Sequence, residues 1–340
     1  FRSENLMENQ LAPFPMSRPR RLRQSDWMRR MVSETTISPD DFIYPMFICE
    51  GENVTDPIPS MPGVNRLSID MAIKVANHAA NVGIPAIALF PYTDIKDKNK
   101  ACTEAFNPKN LVNRATRAIR SAVPDIGIML DVALDPYNSD GHDGILRDGE
   151  IINDETLMAL EKQAIVQAES GANILGPSDM MDGRIGIIRS ALESNDFQNV
   201  AIMAYSAKFS SSYYGPFRDA VGASGALKGD KKTYQLDPAN TNEALRMIQR
   251  DLSEGADMVM VKPGMPYLDV CQRITKEISA PCFAYQVSGE YAMIEAAALN
   301  GWIDRDKVIF ESLLSFKRAG CAGILSYYAI KIAEILDSPL

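Results

Sequence analysis

The sequence predicts an α/β protein built mainly as a (β/α)8 barrel of the TIM type, preceded by an extended N-terminal arm. Two observations carry that prediction. Eight short apolar runs alternate with segments of helical period across residues 39–340, which is the beat of eight βα units. The runs are nearly continuous in apolar residues, as suits strands buried on both faces of a parallel sheet. Periodicity does not report closure, so an open doubly wound sheet is the alternative. No Gly-x-Gly-x-x-Gly follows an early strand, and the dinucleotide-binding form of that sheet loses its main support.

In chain order, residues 1–38 are polar, rich in Pro and Arg, and lack a sustained period, so they read as an arm. Its cluster Arg18, Arg20, Arg21 and Arg23 reads as solvated or partner-facing. Strands are expected over 42–47, 84–90, 127–133, 173–175, 200–205, 258–261, 282–286 and 323–326. Helices are expected over 69–82, 109–122, 154–170, 185–194, 240–254, 268–279, 290–300 and 304–318. Asp154 and Glu155 in a first turn, and Gly171 and Gly255 just past a last one, are cap signals. His78 reads as a packing residue, and Trp27 and Trp302 as core or arm contacts. The stretch 209–237, rich in Ser, Gly, Lys and Tyr, is too long for an ordinary connection and reads as a lid or binding loop.

Composition narrows the function. The 340 residues are 46% apolar and 23% charged, with 35 Lys plus Arg against 44 Asp plus Glu. That is ordinary globular composition able to bury a large core. The net charge of −9 gives no electrostatic case for binding nucleic acid or an anionic membrane. No apolar run reaches the ~18 residues of a transmembrane helix. The five cysteines, Cys49, Cys102, Cys271, Cys282 and Cys321, are odd in number and scattered. They argue for free thiols in a reducing compartment, and against a disulfide framework or a zinc knuckle. The sequence begins at Phe1 rather than Met, which leaves room for a preceding targeting segment, and no secretory signal is visible.

In a parallel barrel the chemistry lies at the carboxyl ends of the strands. "AIMAYSAKF" places Lys208 just past the fifth strand, and "MVMVKPG" places Lys262 at the end of the sixth. Neighbouring strands lie ~5 Å apart, so the two amines share one small volume. Desolvation and mutual repulsion push such lysines toward neutrality, and a neutral amine attacks a ketone to form a Schiff base. A lone strand-end lysine is more often a surface residue or phosphate ligand; a pair reverses that preference. The third strand ends in "DVALDPYNSDGHDG". Asp131 lies inside the run, facing the barrel top as a proton carrier or counter-ion. The clustered carboxylates that follow, Asp135 and Asp143 among them, suit a hard cation such as Mg²⁺, or else serve as Asx-turn residues. Ser288 and Tyr327 offer hydroxyls for a carboxylate, the alternative being caps and packing. Arg218, Lys231, Lys232 and Gln235 in the lid offer the same for a second one.

The strings "YSAKFSSSYYGPFRDA", "TYQLDPAN", "EGADMVMVKPGMPYLD", "QVSGEYAMI" and "ESLLSFKRAG" together closely resemble the porphobilinogen synthase (5-aminolevulinate dehydratase) family, in register from about Arg21 to Glu334. The resemblance implies a lyase of tetrapyrrole (heme) biosynthesis that condenses two 5-aminolevulinate molecules to porphobilinogen, losing two waters. It implies that Lys208 and Lys262 are the Schiff-base lysines. Ser288 and Tyr327 would then hold the carboxylate of the substrate on Lys262, and Arg218, Lys231 and Gln235 the other. A (β/α)8 barrel whose arm wraps a neighbour, usually in a homo-octamer, is also implied. Zinc members carry three cysteines where this chain has Ala133, Asp135 and Asp143, so a thiolate-bound catalytic zinc is not expected. Magnesium-using relatives share the Asp-rich version and bind an activating, allosteric Mg²⁺ at a subunit interface through a glutamate, matched here by Met247. The compartment implied is the cytoplasm or plastid stroma. The rivals are a class I aldolase with one Schiff-base lysine and a barrel that has lost activity.

Overall fold

A computed structural model describes residues 12–222, 227 and 229–337. The chain divides into two compact units, Phe1–Thr36 and Ile37–Leu340. Within the described part of the first, a 3₁₀ turn at Pro19–Arg23 precedes a short helix at Asp26–Met31.

The second unit is the barrel. Its strands are β1 (Phe42–Ile48), β2 (Ala86–Pro91), β3 (Gly127–Val132), β4 (Ile174–Pro177), β5 (Ala201–Lys208), β6 (Met258–Lys262), β7 (Cys282–Gln286) and β8 (Gly323–Ser326). Each pairs in parallel with the next. The pairs Phe42–Ile324 and Ile43–Leu325 join β1 to β8 and close the cylinder. Closure settles the choice that periodicity left open. All of β2 is buried, and so is β5 after its first residue, which is why the runs read as continuously apolar.

The outer layer holds α1 (Ile69–Asn81), α2 (Leu111–Ala122), α3 (Asn153–Glu169), α4 (Arg184–Ser194), α5 (Thr241–Ser253), α6 (Leu268–Arg273), α7 (Ser288–Leu299), α8 (Arg305–Arg318) and α9 (Ala329–Asp337). The sequence reading placed no helix after the eighth strand; α9 supplies it, while α7 and α8 both follow β7. The segment expected as a helix to 279 is α6 followed by a π turn at Ile274–Ile278. Two short hairpins, Thr55–Pro57 with Asn65–Leu67 and Leu146–Arg147 with Glu150–Ile151, lay outside the expected elements. Their runs are too short to show a period.

Two placements differ from expectation. Trp302, on the barrel, is exposed rather than a core residue, and Trp27 is an exposed residue of the arm. His78 is half-exposed, and its Nε2 lies 2.7 Å from Glu334 Oε1; helical spacing alone does not say which face of α1 meets the barrel.

Candidate active site

The barrel brings the two lysines together. Lys208 and Lys262 are the last residues of β5 and β6 and are partners in the ladder. A bulge makes them so. Ala204 pairs with Val259 but Ala207 with Val261, so β5 carries one extra residue just before its end. Bulges re-aim side chains beside active sites, and β5 runs three residues beyond its expected end. Both amines are buried.

Their surroundings differ. Lys262 Nζ lies 4.8 to 5.4 Å from the ring centres of Tyr285, Phe217, Tyr205 and Tyr214. Burial among these rings, reinforced by the charge of Lys208, pushes its pKa down to about 7 against the pull of Asp131, Asp135 and Asp143. Lys208 Nζ instead donates to Asp143 Oδ1 at 2.8 Å and to the Ser178 carbonyl at 2.5 Å. Lys262 is the more desolvated of the two, while Lys208 sits in an ion pair with Asp143.

The Asp-rich loop explains that ion pair. Asp143 is fully buried, and its second oxygen meets Lys231 Nζ at 2.5 Å and accepts from the Tyr234 hydroxyl at 3.0 Å. Burial pushes this carboxyl up, but the two ammoniums outweigh it and hold the group well below the usual carboxylate range. Asp135 lies 3.5 Å from Lys231. The two carboxylates expected as metal ligands are thus engaged with lysine cations. Asp131 faces the lysines as expected. Its Oδ1 is buried with no hydrogen-bond partner among the described residues, and burial together with Asp135 pushes the carboxyl up to about 6.

The loop at 209–237 is stapled to both strand ends. Phe209 N–H donates to the Lys262 carbonyl and Leu236 N–H to that of Lys208. Tyr214 Oη donates to the carbonyls of Phe209 and Lys262, at 2.8 and 3.0 Å. Arg218, Lys231 and Gln235 line one cavity with Lys208, Lys262 and Asp131. That cavity is small, about 30 Å³. Ser288 and Tyr327 do not line it. Ser288 Oγ accepts the Phe217 N–H at 2.9 Å, and the Tyr327 hydroxyl pairs with that of Tyr285 at 3.0 Å. The Phe217 ring packs 5.4 Å from Phe90 and 5.6 Å from Phe47, occupying the space beside Lys262.

Some supporting residues escaped the sequence reading. Behind Ser178, Arg184 is buried between Asp251, at 3.0 Å, and Asp179, at 3.6 Å. Glu290 is buried on α7 and accepts the N–H groups of Val287 and Met265, each at 2.5 Å, fixing the turn after Lys262. Tyr205, three residues before Lys208, was the one readable hint of the aromatic box. Met247 lies on α5 beside a larger polar cavity of about 780 Å³, lined also by Asp182, Asp237, Glu243 and Arg250.

Comparison with known proteins gives concordant matches. The family described as "Delta-aminolevulinic acid dehydratase" matches residues 16–335. The delta-aminolevulinic acid dehydratase of Bradyrhizobium diazoefficiens is 57% identical over 319 residues, 94% of this chain and 90% of that protein. The chloroplastic one of Physcomitrium patens is 50% identical over 333 residues, 96% of this chain and 76% of that protein. A crystal structure of the Toxoplasma gondii enzyme with the reaction product porphobilinogen superposes with a TM-score of 0.92 at 47% identity, covering 94% of this chain and 91% of that one.

Proposed function

The chain belongs to the delta-aminolevulinic acid dehydratase family, and from that premise we propose that Lys208 and Lys262 capture its two substrates as Schiff bases. The reaction condenses two 5-aminolevulinate molecules to porphobilinogen and two waters. The observation that carries the reading is the in-register pair of buried lysines at the mouth of the barrel.

Lys262, lowered toward neutrality, attacks the ketone of one substrate, and loss of water leaves an imine. Lys208 does the same after passing a proton to a neighbouring carboxylate. Asp131, with one oxygen unpartnered, is placed to carry protons between the amines and the substrates. An imine that has lost a proton reacts as an enamine, its carbon adding to the other imine carbon in an aldol-like step. The free amine of one substrate closes the ring on the remaining imine carbon. Both lysine amines are expelled and so regenerated, and removal of a ring proton gives the pyrrole. Tethering both ketones gains an effective molarity on the order of 10⁵ M or more, and a closed lid keeps water from the imines. Arg218, Lys231 and Gln235 hold one carboxylate. Ser288 and Tyr327 hold the other once Phe217 has withdrawn and released the Ser288 hydroxyl. Porphobilinogen formation by the purified protein, and its loss in Lys262→Ala with the fold retained, tests the assignment; turnover in that variant would overturn it.

The metal reading follows from the donors. Ala133, Asp135 and Asp143 offer no thiolate, so zinc chemistry of the cysteine-bound kind has no ligands there. Asp135 and Asp143 do not fit Mg²⁺ either, since lysine ammoniums already occupy them, and no step is routed through a metal. An allosteric Mg²⁺ is equally disfavoured at Met247, whose thioether is a poor ligand for a hard cation. We place any magnesium requirement outside the lysine site.

We further propose a homo-oligomer, an octamer in the family pattern, assembled through the arm. Phe14, Met16, Trp27 and Met31 are large apolar residues left exposed there, the composition of a surface that a partner covers. Light scattering of the full chain against one lacking residues 1–36 tests this; an unchanged mass would contradict it. The cytoplasm or plastid stroma is the compartment we assign. The five free, buried thiols suit a reducing environment, and no helix among the described residues is long and apolar enough to cross a membrane.

A further inference from the structure

Three of the cysteines that look scattered in sequence converge in the fold. Cys282 opens β7, Cys321 lies two residues before β8, and Cys271 on α6 comes close to both. The strands are parallel, so the cluster sits toward the N-terminal end of the barrel, away from the lysines at its carboxyl end. Their three Sγ atoms lie within 4.8 Å of one another, and each residue is 2% exposed or less. It is the one group of three potential metal ligands that close together among the described residues.

We propose that Cys271, Cys282 and Cys321 form a binding site for a thiophilic d¹⁰ cation, Zn²⁺ or Cd²⁺ in kind, separate from the catalytic centre. At the ~2.3 Å of a tetrahedral zinc–sulfur bond, sulfurs around one ion stand roughly 3.8 Å apart, so closing the cluster from within 4.8 Å onto an ion asks about 1 Å at most of each separation. The donor set is soft throughout, which selects these ions over Mg²⁺. Binding breaks three S–H bonds: the ion sheds its waters and the three protons leave to solvent. Three thiolates and a divalent ion leave one negative charge. Lys317 lies beside the cluster, donating to the carbonyl of Ala322, next in sequence to Cys321, at 3.0 Å, and shares its ammonium with Asp41 at 2.7 Å. As at other barrel sites remote from the active face, the consequence is stability rather than turnover.

The test uses the full-length protein, reduced and loaded in two ways: incubation with Cd²⁺ followed by desalting, and expression in Cd²⁺-supplemented medium so that the ion can enter during folding. Elemental mass spectrometry and the ultraviolet sulfur-to-cadmium charge-transfer band read the outcome. About one retained Cd²⁺ per chain is expected, with a raised melting temperature. Cys271→Val and Cys321→Ala, both apolar replacements suited to the buried site, are each expected to cut retention at least about tenfold while porphobilinogen formation persists. Cys49→Ala and Cys102→Ala are expected to keep the ion. If neither preparation retains Cd²⁺ beyond the level of Cys271→Val, or if Cys49 or Cys102 carries the retention, the proposal is overturned.

Discussion

Lys208 and Lys262 stand opposite each other in the ladder between adjacent strands, aligned by a single extra residue in the strand that carries Lys208. Each amine is therefore part of the other's electrostatic environment. The pair is asymmetric: Lys262 is boxed by aromatic rings and lowered to about 7, while Lys208 is ion-paired with Asp143. Of the two, Lys262 is the amine that burial among aromatic rings lowers toward neutrality.

That asymmetry sets a pH dependence. Lys262 loses its proton near 7 in the fold and near ~10.4 in the unfolded chain. Between those values the unfolded chain binds the extra proton, so stability contributed by this group rises with pH across the window, and the penalty is full below about 7. Borohydride trapping of substrate on Lys262 is expected to climb as pH passes through about 7. Lys262→Met is expected to raise stability at neutral pH by roughly 1–4 kcal/mol while abolishing turnover. A trapping rate flat across that pH range, or a less stable Lys262→Met, would count against the assigned amine state.

Buried ionic groups behind the lysines carry a second expectation. Asp143→Asn strands two ammoniums, and Arg184→Met strands Asp179 and Asp251. Each is expected to cost about 3–5 kcal/mol in urea denaturation, because removing one partner leaves a buried charge uncompensated. Losses below about 1 kcal/mol would mean that water reaches these groups.

Much of this was legible in the sequence. All eight barrel strands and the helical segments between them followed from period and apolar runs, and the strand-end lysines followed from the barrel. What was not legible depends on contacts between distant segments. The bulge in β5 leaves no mark in composition, so the strand was ended at Tyr205. The contact of the Asp135–Asp143 loop with Lys231 joins residues about ninety positions apart, beyond the reach of local reading. Nothing local to Ser288 shows that its hydroxyl accepts the Phe217 N–H of the long loop. The convergence of Cys271, Cys282 and Cys321 is invisible for the same reason.

The hydroxyl pair can be separated from the lysines. Ser288→Ala and Tyr327→Phe each remove one hydrogen bond to a carboxylate, about 1.5–3 kcal/mol, and are expected to raise KM for porphobilinogen formation about tenfold or more. Trapping at Lys208 should stay close to wild type in both. A matching fall at Lys208 would assign these hydroxyls to the wrong substrate.

Chelation probes the metal reading. 1,10-Phenanthroline is expected to leave porphobilinogen formation intact, since Ala133, Asp135 and Asp143 offer no thiolate to zinc. EDTA is expected to leave Schiff-base trapping at both lysines unchanged even if it alters overall turnover. Strong phenanthroline inhibition in the Cys271→Val variant would point to a catalytic metal after all.

The decisive experiment is reduction with borohydride in the presence of 5-aminolevulinate, followed by peptide mass spectrometry. Reduced adducts are expected on the peptides containing Lys208 and Lys262, and on no other lysine. An adduct on one of them alone would favour single-lysine aldolase chemistry, and none on either would refute the paired-imine mechanism.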